Sequence, residues 1–540
     1  MIDRRSFLKM ALAAGVGAAS WSGCRSPEAP HEIAGELVGT SHRVGHRLRE
    51  GELPRPATGP RVDTVILGAG IAGLSAAWKL HGAGYDDFLL LELEPTPGGN
   101  SRFELYPESR APWAAHYLPV PTAESRAVQE LLAEMELLRG FGADGSPLYD
   151  ERHLCHFPQE RVFVQGRWEE GLFPMALATG EDLRQLEAFG RHVDSWRGWR
   201  DNRGRKAFAI PVAHSSDAAE LRALDALSMG GYLQQLGFSS PLLRWYVEYG
   251  CRDDYGTSLD ETSAWAGLHY FASRDGGGFE TTDAPFVWPE GNGRLVEHLA
   301  GSAGPRLVAG ALVCRIERAP SGFAVDYMEV ESGKFVRLRA GRVICALPTF
   351  TRPYLLGEAP RSSFTYCPWV TANVVLSSPP RDPPGSGFPL SWDNVVFGSP
   401  SLGYVVATHQ RLSRTPGPTV LTWYFPLLGE PDDRRRWLLG TDWGYWKDRV
   451  LGELRGLHPG LDQQVRRLDV MGLGHAMIRP TVGFRNGKER RQAAQPAEGV
   501  YFAHSDLSGL SIFEEAQYHG VRAAQELLRD RKHPHRDSLA

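Results

Sequence analysis

Lysine is scarce in this chain of 540 residues: it occurs seven times, at Lys9, Lys79, Lys206, Lys334, Lys447, Lys488 and Lys532. Cysteine is scarcer still, with six residues and no Cys-x-x-Cys pair, so neither a zinc site nor dithiol redox chemistry is supported and no metal is expected. The formal net charge is −5, and without a basic surplus nothing argues for nucleic acid as a partner. Beyond the N-terminus no apolar run reaches the length of a membrane-spanning helix, and no internal repeat is evident. What is present is an ordinary globular composition, 42% hydrophobic and 23% charged. At 540 residues the chain is too long for one core, so two or more domains are expected.

Asp3-Arg4-Arg5-Ser6-Phe7-Leu8-Lys9 carries the paired arginines of a twin-arginine export signal, and residues 10–19 supply a short apolar region behind it. Trp21-Ser22-Gly23-Cys24 resembles a lipoprotein cleavage box, with Trp21 where an aliphatic residue is usual. Residues 1–24 therefore read as a signal peptide, and a lipidated Cys24 would anchor the protein to a membrane face without spanning it. Residues 25–60, rich in Pro, Gly, Arg and Glu, read as a linker. Of the other cysteines, Cys155, Cys251, Cys314, Cys345 and Cys367, two (Cys314 and Cys345) lie in strand-like apolar runs and are read as packing residues. An exported protein tolerates a disulfide, but spacing names no pair.

Residues 62–102 carry the chemistry. A β-branched run, Val62 to Leu67, leads into Gly68, Gly70 and Gly73 at G-x-G-x-x-G spacing. An apolar helical pattern follows through Leu80, with Ile71 and Ala72 at its start, and a second apolar run from Phe88 to Leu91 ends at Glu92. This is a strand–turn–helix–strand unit for a dinucleotide. Gly68 permits the turn, Gly70 lets the backbone approach a pyrophosphate, and Gly73 lets helix pack on strand. The free N–H groups and dipole of the helix N-terminus favour the anion, and Glu92 is placed to accept from a ribose hydroxyl.

Further along, helical spacing marks residues 124–140, 217–236 and 430–457. Arg274-Asp275-Gly276-Gly277-Gly278 reads as a mobile loop, and residues 287–300 as a turn and an amphipathic helix. Three strand-like segments fill residues 306–347, residues 377–388 form a Pro-rich loop, and the chain closes with a strand at 500–503 and a helix at about 514–531.

The dinucleotide unit, Pro97-Gly98-Gly99-Asn100-Ser101-Arg102, the segment WPEGNGRLVEHLA, the strand ending VICALP and the closing GVYFAHSDLSGLSIFEEAQYHGVRAA recur in this order in one superfamily. On these motifs the chain resembles the flavin-containing amine oxidases and their relatives, the protoporphyrinogen oxidases and carotenoid desaturases. The resemblance covers about residues 60–530 and is dense in the cofactor segments. It implies an α/β fold: a Rossmann-like FAD-binding domain of the glutathione-reductase type (60–110, 285–350 and 480–530) and a discontinuous α+β substrate domain (111–284 and 351–479). It implies FAD lined by Gly68, Gly70 and Gly73, with Glu92 on the adenosine ribose. Gly98, Gly99 and Arg102 would form a second glycine turn, Val313 would meet the adenine through its backbone, and Asp506 would approach the ribityl or pyrophosphate oxygens. The final helix, from Glu514, would aim its N-terminus at the flavin's O2 side. With no cysteine in the last motif, FAD is expected to be non-covalent.

Three positions depart from that pattern. Asn373 stands where many amine oxidases hold a lysine near flavin N5, and Ile512 stands where an aromatic ring would help clamp the amine. His504 replaces the usual glycine after Tyr501-Phe502-Ala503. Candidate pocket segments are Trp113 to Tyr117, His269 to Phe271, Trp423 to Phe425 and Gly474 to Pro480, with His116 and His475 as the expected polar groups near the flavin. Three functions follow: an exported oxidoreductase acting on an amine or amino-acid-like C–N bond, with oxygen or another electron acceptor; a desaturase-like enzyme acting on C–C bonds of an apolar molecule; or a non-catalytic FAD module. The twin-arginine route, which carries folded proteins, suits an enzyme that acquires its cofactor before export.

Overall fold

A computed structural model of the chain describes residues 32–50, 53–143, 145–275, 284–412 and 415–539. The twin-arginine segment, Cys24 and the glycines 276–278 lie outside the described residues. The chain runs through β1 (Leu37–Gly39), β2 (Thr58–Leu67), α1 (Ile71–Gly82), β3 (Phe88–Leu91), β4 (Glu160–Val164), β5 (Arg167–Glu170), α2 (Gly180–Gly198), α3 (Pro241–Tyr255), α4 (Ala264–Ala272), α5 (Gly293–Ala303), β6 (Leu307–Val308) and β7 (Ala311–Ala319). It continues through β8 (Gly322–Glu329), β9 (Phe335–Cys345), β10 (Tyr366–Leu376), β11 (Asp393–Val396), β12 (Tyr404–Val406), β13 (Thr419–Pro426), α6 (Pro431–Gly440), α7 (Trp443–Leu457), β14 (Val465–Ile478), β15 (Val500–Phe502) and α8 (Phe513–Asp530).

The first sheet has the order β6-β3-β2-β9-β8-β7, with β15 pairing to the far end of β9. Its centre is parallel, Ile66 lying between Leu90 and Ile344, and Ile344 meeting Tyr501 on the other side. Parallel strands are covered on both faces, which is why residues 65–67 of β2 and 88–91 of β3 are continuous apolar runs rather than alternating ones. Helix α1 is buried along nearly its whole length between this sheet, α5 and α8. Helix α8 crosses it at backbone contact: a Cβ on Gly520 would lie 2.2 Å from the Ala72 carbonyl oxygen.

The second sheet has the order β1-β14-β10-β13-β12-β11-β4-β5. Strands β10 and β13 are buried on both faces. Val370, Ala372, Val374, Trp423 and Phe425 pack against Trp446, Val450 and Leu454 of α7. Trp369 and Tyr424, on the opposite face, pack toward Trp113 and Tyr249. Helices α2, α3 and α4 form a third layer around Phe208 and Trp265.

Several expectations change in detail. Residues 25–60 are not merely a linker: β1 adds an edge strand in parallel to β14, with Val38 opposite Met471, and Ser41 donates through its amide and hydroxyl to Glu94. Three residues are too few to announce a strand by periodicity. The helix expected at 124–140 spans only Arg126–Glu134 before the chain turns extended at Leu138–Phe141. The 430–457 pattern is two helices, because Asp442 caps α7 by accepting from the Tyr445 amide. Cys155, Cys251, Cys314, Cys345 and Cys367 are all buried free thiols.

Candidate cofactor and substrate site

The glycine turn after β2 is sterically determined. Gly68 has φ +89° and donates to the Leu91 carbonyl at 2.8 Å. A Cβ on Gly73 would lie 1.8 Å from the Gly68 carbonyl oxygen, so only glycine lets α1 start where it does. Gly70 differs: a Cβ there would meet no protein atom within 4 Å, so its face opens on space. It heads α1 with no side-chain cap, which leaves the amides of the first turn, Ile71 and Ala72 among them, for an anion. The second turn docks on the first. Gly98 (φ +123°) donates to Ala69 at 2.8 Å, and a Cβ on Gly99 would stand 3.3 Å from the Gly70 Cα. This cradle fits a dinucleotide pyrophosphate.

Glu92, buried at the end of β3, accepts from the Ala69 amide at 2.6 Å and the Glu94 amide at 2.9 Å, and burial raises its pKa. Its oxygens thus brace the turn, each keeping a lone pair for a ribose hydroxyl. The Ala311 amide donates to the Glu92 carbonyl at 2.7 Å, which sets the start of β7, with Val313, alongside. Arg102 braces the second turn through the Gly99 carbonyl and pairs with Glu94, both at 3.1 Å. Asp506 accepts from the Thr349 amide at 2.9 Å and the Tyr366 hydroxyl at 2.7 Å, and faces His504 Nδ1 at 2.9 Å. Burial opposes its ionisation, but His504, Tyr366 and Thr349 outweigh burial and its pKa is lowered.

From the second turn the chain enters a clamped loop. Trp113 donates to the Arg102 carbonyl, Ala115 to that of Asn100, and Asn292 to that of Ala115. This fixes His116, whose ring stacks on Tyr424 at 4.9 Å and 11°, with Tyr117 at 5.0 Å and Trp392 at 5.5 Å. Burial pulls the His116 pKa down to about 4, and Nδ1–H donates to the Ala114 carbonyl at 3.0 Å, which leaves Nε2 as an acceptor. The Tyr424 hydroxyl meets no side-chain partner among the described residues.

Near this aromatic box stand acids that sequence reasoning missed. Asp254 pairs with Arg274 at 2.5 Å, while burial and the Asp254 charge push the Asp253 carboxyl above the usual carboxylate range. Burial and then Asp253 and Glu160 push Asp393 well above the carboxylate range, and Tyr249 hydrogen-bonds to it. His116, Tyr117, Tyr270, Asp253 and Asp393 are each half-buried, and burial is the leading cause of each of their pKa shifts. The available signal was Arg252-Asp253-Asp254, three consecutive charges at the C-terminal end of α3.

Other expected residues fall elsewhere. His475 is not beside His116. It stacks on Phe350 at 4.1 Å and meets Tyr366 edge-on, with burial lowering its pKa to about 3. Asn373 is fully buried and accepts from the Thr422 hydroxyl at 2.8 Å, and among the described residues its Nδ2 has no hydrogen-bond partner. His269 bonds the Ala209 carbonyl within the helical layer. Ile512 precedes α8 and packs with that layer. Glu514, in the first turn of α8, is buried with Oε2 unpartnered, and burial raises its pKa to about 7.

Residues 66–135 match the NAD(P)-binding Rossmann-like domain family, NAD_binding_8. A Mycobacterium tuberculosis protein named as a candidate flavin-containing monoamine oxidase, AofH, is 27% identical over 308 residues. That match covers 55% of this chain and 59% of the relative, so the chain spans about three fifths of the length of the curated relatives it matches. Among solved structures, putrescine oxidase bound to putrescine superposes with a TM-score of 0.63 at 15% identity, covering 87% of this chain and 99% of that one. Cyclohexylamine oxidase from Brevibacterium oxydans gives 0.60 at 17%, covering 88% and 100%. A fatty acid isomerase from P. acnes gives 0.57 at 15%, covering 87% and 98%. The chain thus has the mixed α/β fold shared by these proteins, with a Rossmann-like dinucleotide-binding domain.

Proposed function

We propose that this protein is a flavin-dependent oxidoreductase of the amine oxidase type, holding FAD non-covalently and oxidising the C–N bond of a small amine. The observation that carries the reading is the aromatic box of His116, Tyr117, Trp392 and Tyr424, hung directly from the second glycine turn of the dinucleotide cradle. Gly68, Gly70, Gly73, Gly98 and Gly99 shape the pyrophosphate cradle, Glu92 serves the ribose, and the N-terminus of α8 carries Glu514 toward the same interior. FAD held there would supply a two-electron acceptor for the hydride on the carbon next to nitrogen, with oxygen as the final acceptor. The nitrogen lone pair forms the C=N bond, and water then releases a carbonyl and ammonia or a shorter amine.

The chain's own part is to orient a neutral amine and exclude water. The rings of Tyr424, Tyr117 and Trp392 supply a dry aromatic surface. His116, neutral well below pH 7, presents Nε2 to an amine N–H. The segment from Val500 through α8 contains no cysteine, consistent with a non-covalent flavin. Export through the twin-arginine route, with a lipid anchor at Cys24, belongs to the same reading and rests on Arg4-Arg5 and Cys24 alone.

Anaerobic mixing with amines, amino acids and isoprenoids while following flavin absorbance tests it. Bleaching by amines and peroxide on admission of oxygen are expected. A second reading, oxidation of a C–C bond in an apolar molecule, is favoured by Ile512, which puts an aliphatic residue rather than an aromatic ring at the head of α8. Bleaching by isoprenoids and not by amines would select it.

A further inference from the structure

One row of residues crosses the second sheet in unbroken register: Asp469 on β14, Asn373 on β10, Thr422 on β13, Val405 on β12, Asp393 on β11 and Glu160 on β4. Directly opposed residues share a face, and strands lie about 4.8 Å apart, so the row works as a ruler. The cofactor cradle touches the same strand β14 seven residues beyond Asp469, where Asn100 donates to the Ala476 carbonyl at 2.7 Å. The acids Asp393 and Glu160 stand at the other end. Asp393 lies two strand spacings beyond β13, the strand of Tyr424, or about 10 Å.

These acids are not structural ion pairs. Among the described residues, Asp393, Asp253 and Glu160 have no salt-bridge partner, whereas Asp254 has Arg274. Arg252, beside Asp253, is turned to the carbonyls of Ser399, Pro400 and Ser401. Asp393 Oδ1 is buried with no hydrogen-bond partner. An independent sign comes from Tyr424. It is 4% exposed, its hydroxyl meets no side-chain partner among the described residues, and the charge it feels most is that of Asp393. Unpaired carboxylates held in an aromatic interior are stabilised by a cation.

Resting on the amine-oxidising reading above, we infer that Asp393 and Asp253, with the rings of Tyr249 and Tyr424, hold a second cationic group of the substrate, so that the preferred substrates are aliphatic diamines or polyamines rather than monoamines. The reacting amine lies toward His116 and the cradle, and the distal ammonium lies at β11 and the end of α3.

The test compares 1,6-diaminohexane with 1-aminohexane as reductants of the FAD-loaded enzyme, in wild type and in the Asp393→Asn, Asp253→Asn and Tyr424→Phe variants. Bound FAD and far-UV circular dichroism establish that each variant is folded. The wild type is expected to favour the diamine in kcat/KM, and removing either carboxylate is expected to cut that preference by about 30-fold or more, mainly through KM. Tyr424→Phe is expected to cut it less, by about threefold. Oxidation of both amines with no preference in the wild type, or a preference that survives both carboxylate variants, overturns this inference and leaves the proposed function standing. Failure of every amine to reduce the flavin overturns both.

Discussion

Gly73 and Gly68 meet backbone to backbone: the Cβ that Gly73 lacks would sit 1.8 Å from the Gly68 carbonyl oxygen and 3.3 Å from the Ala346 Cβ. Neither contact involves a flexible side-chain end, so nothing can yield cheaply. Gly73→Ala is expected to cost about 3 kcal/mol or more and to yield protein without flavin colour. Gly70→Ala puts its methyl into open space at an ordinary φ of −71°. It should leave the melting temperature of the apoprotein nearly unchanged and weaken FAD binding. Thermal melts with and without FAD separate the two outcomes. A Gly73→Ala protein with full colour would contradict the turn geometry.

Glu514 predicts an unusual pH dependence of stability. Its folded pKa of about 7 lies above the unfolded value, so the folded state holds a proton that the unfolded state has released. Stability should therefore fall as pH rises from about 4.5 to about 7. Glu514→Gln, which cannot ionise, is expected to gain up to about 3 kcal/mol over wild type at pH 8 and nothing at pH 4. Denaturant midpoints at the two pH values measure this.

Asp506 is the hub between the last motif and the strand β10. Asp506→Ala would strand the Thr349 amide and the Tyr366 hydroxyl without their acceptor and remove the charge facing His504. A loss of about 3 kcal/mol or more is expected, together with easier release of FAD, read by flavin fluorescence in the ultrafiltrate. Asp506→Glu should restore part of both.

His116 is expected to act as a neutral ring. With its pKa near 4, flavin reduction should show no step near pH 6.5 that disappears in a His116 variant. His116→Phe keeps the stack on Tyr424 and should reduce flavin within a few-fold of wild type, whereas His116→Ala should slow it about tenfold. Stopped-flow traces across pH 5.5–9 decide the point.

The dinucleotide turn was legible in the sequence because Gly68 and Gly73 answer local steric demands, Gly70 keeps its face open, and the ends of β2 and β3 are apolar on both faces. The distal half of the site was not. Asp393 follows Trp392 at the start of a four-residue strand, and only the pairing of β11 with β12 and β4 puts it in register with Glu160 and within the field of Asp253 on a helix 140 positions earlier. His475 shows the converse. A polar residue in a motif leading back to the cofactor segments suggested the pocket, but the strand β14 turns its ring onto Phe350. Asn373 was placed on the correct strand, yet its burial under Tyr106 depends on a hairpin, Phe103–Leu105 against Arg110–Pro112, that short apolar runs do not reveal. Long-range register, not local propensity, decided these three positions.

Strand β15 docks beside β9 with Tyr501 opposite Ile344, and α8 then closes over α1 at Gly520. The cradle opens at residue 68 and receives its last wall only when residue 520 has emerged. During synthesis, then, cofactor capture cannot begin at the N-terminal motif and wait: a ribosome-bound chain lacking its final forty residues holds a glycine turn with no roof. Nascent chains arrested before α8 are expected to be unable to retain FAD, read as flavin fluorescence on the ribosome-bound chain.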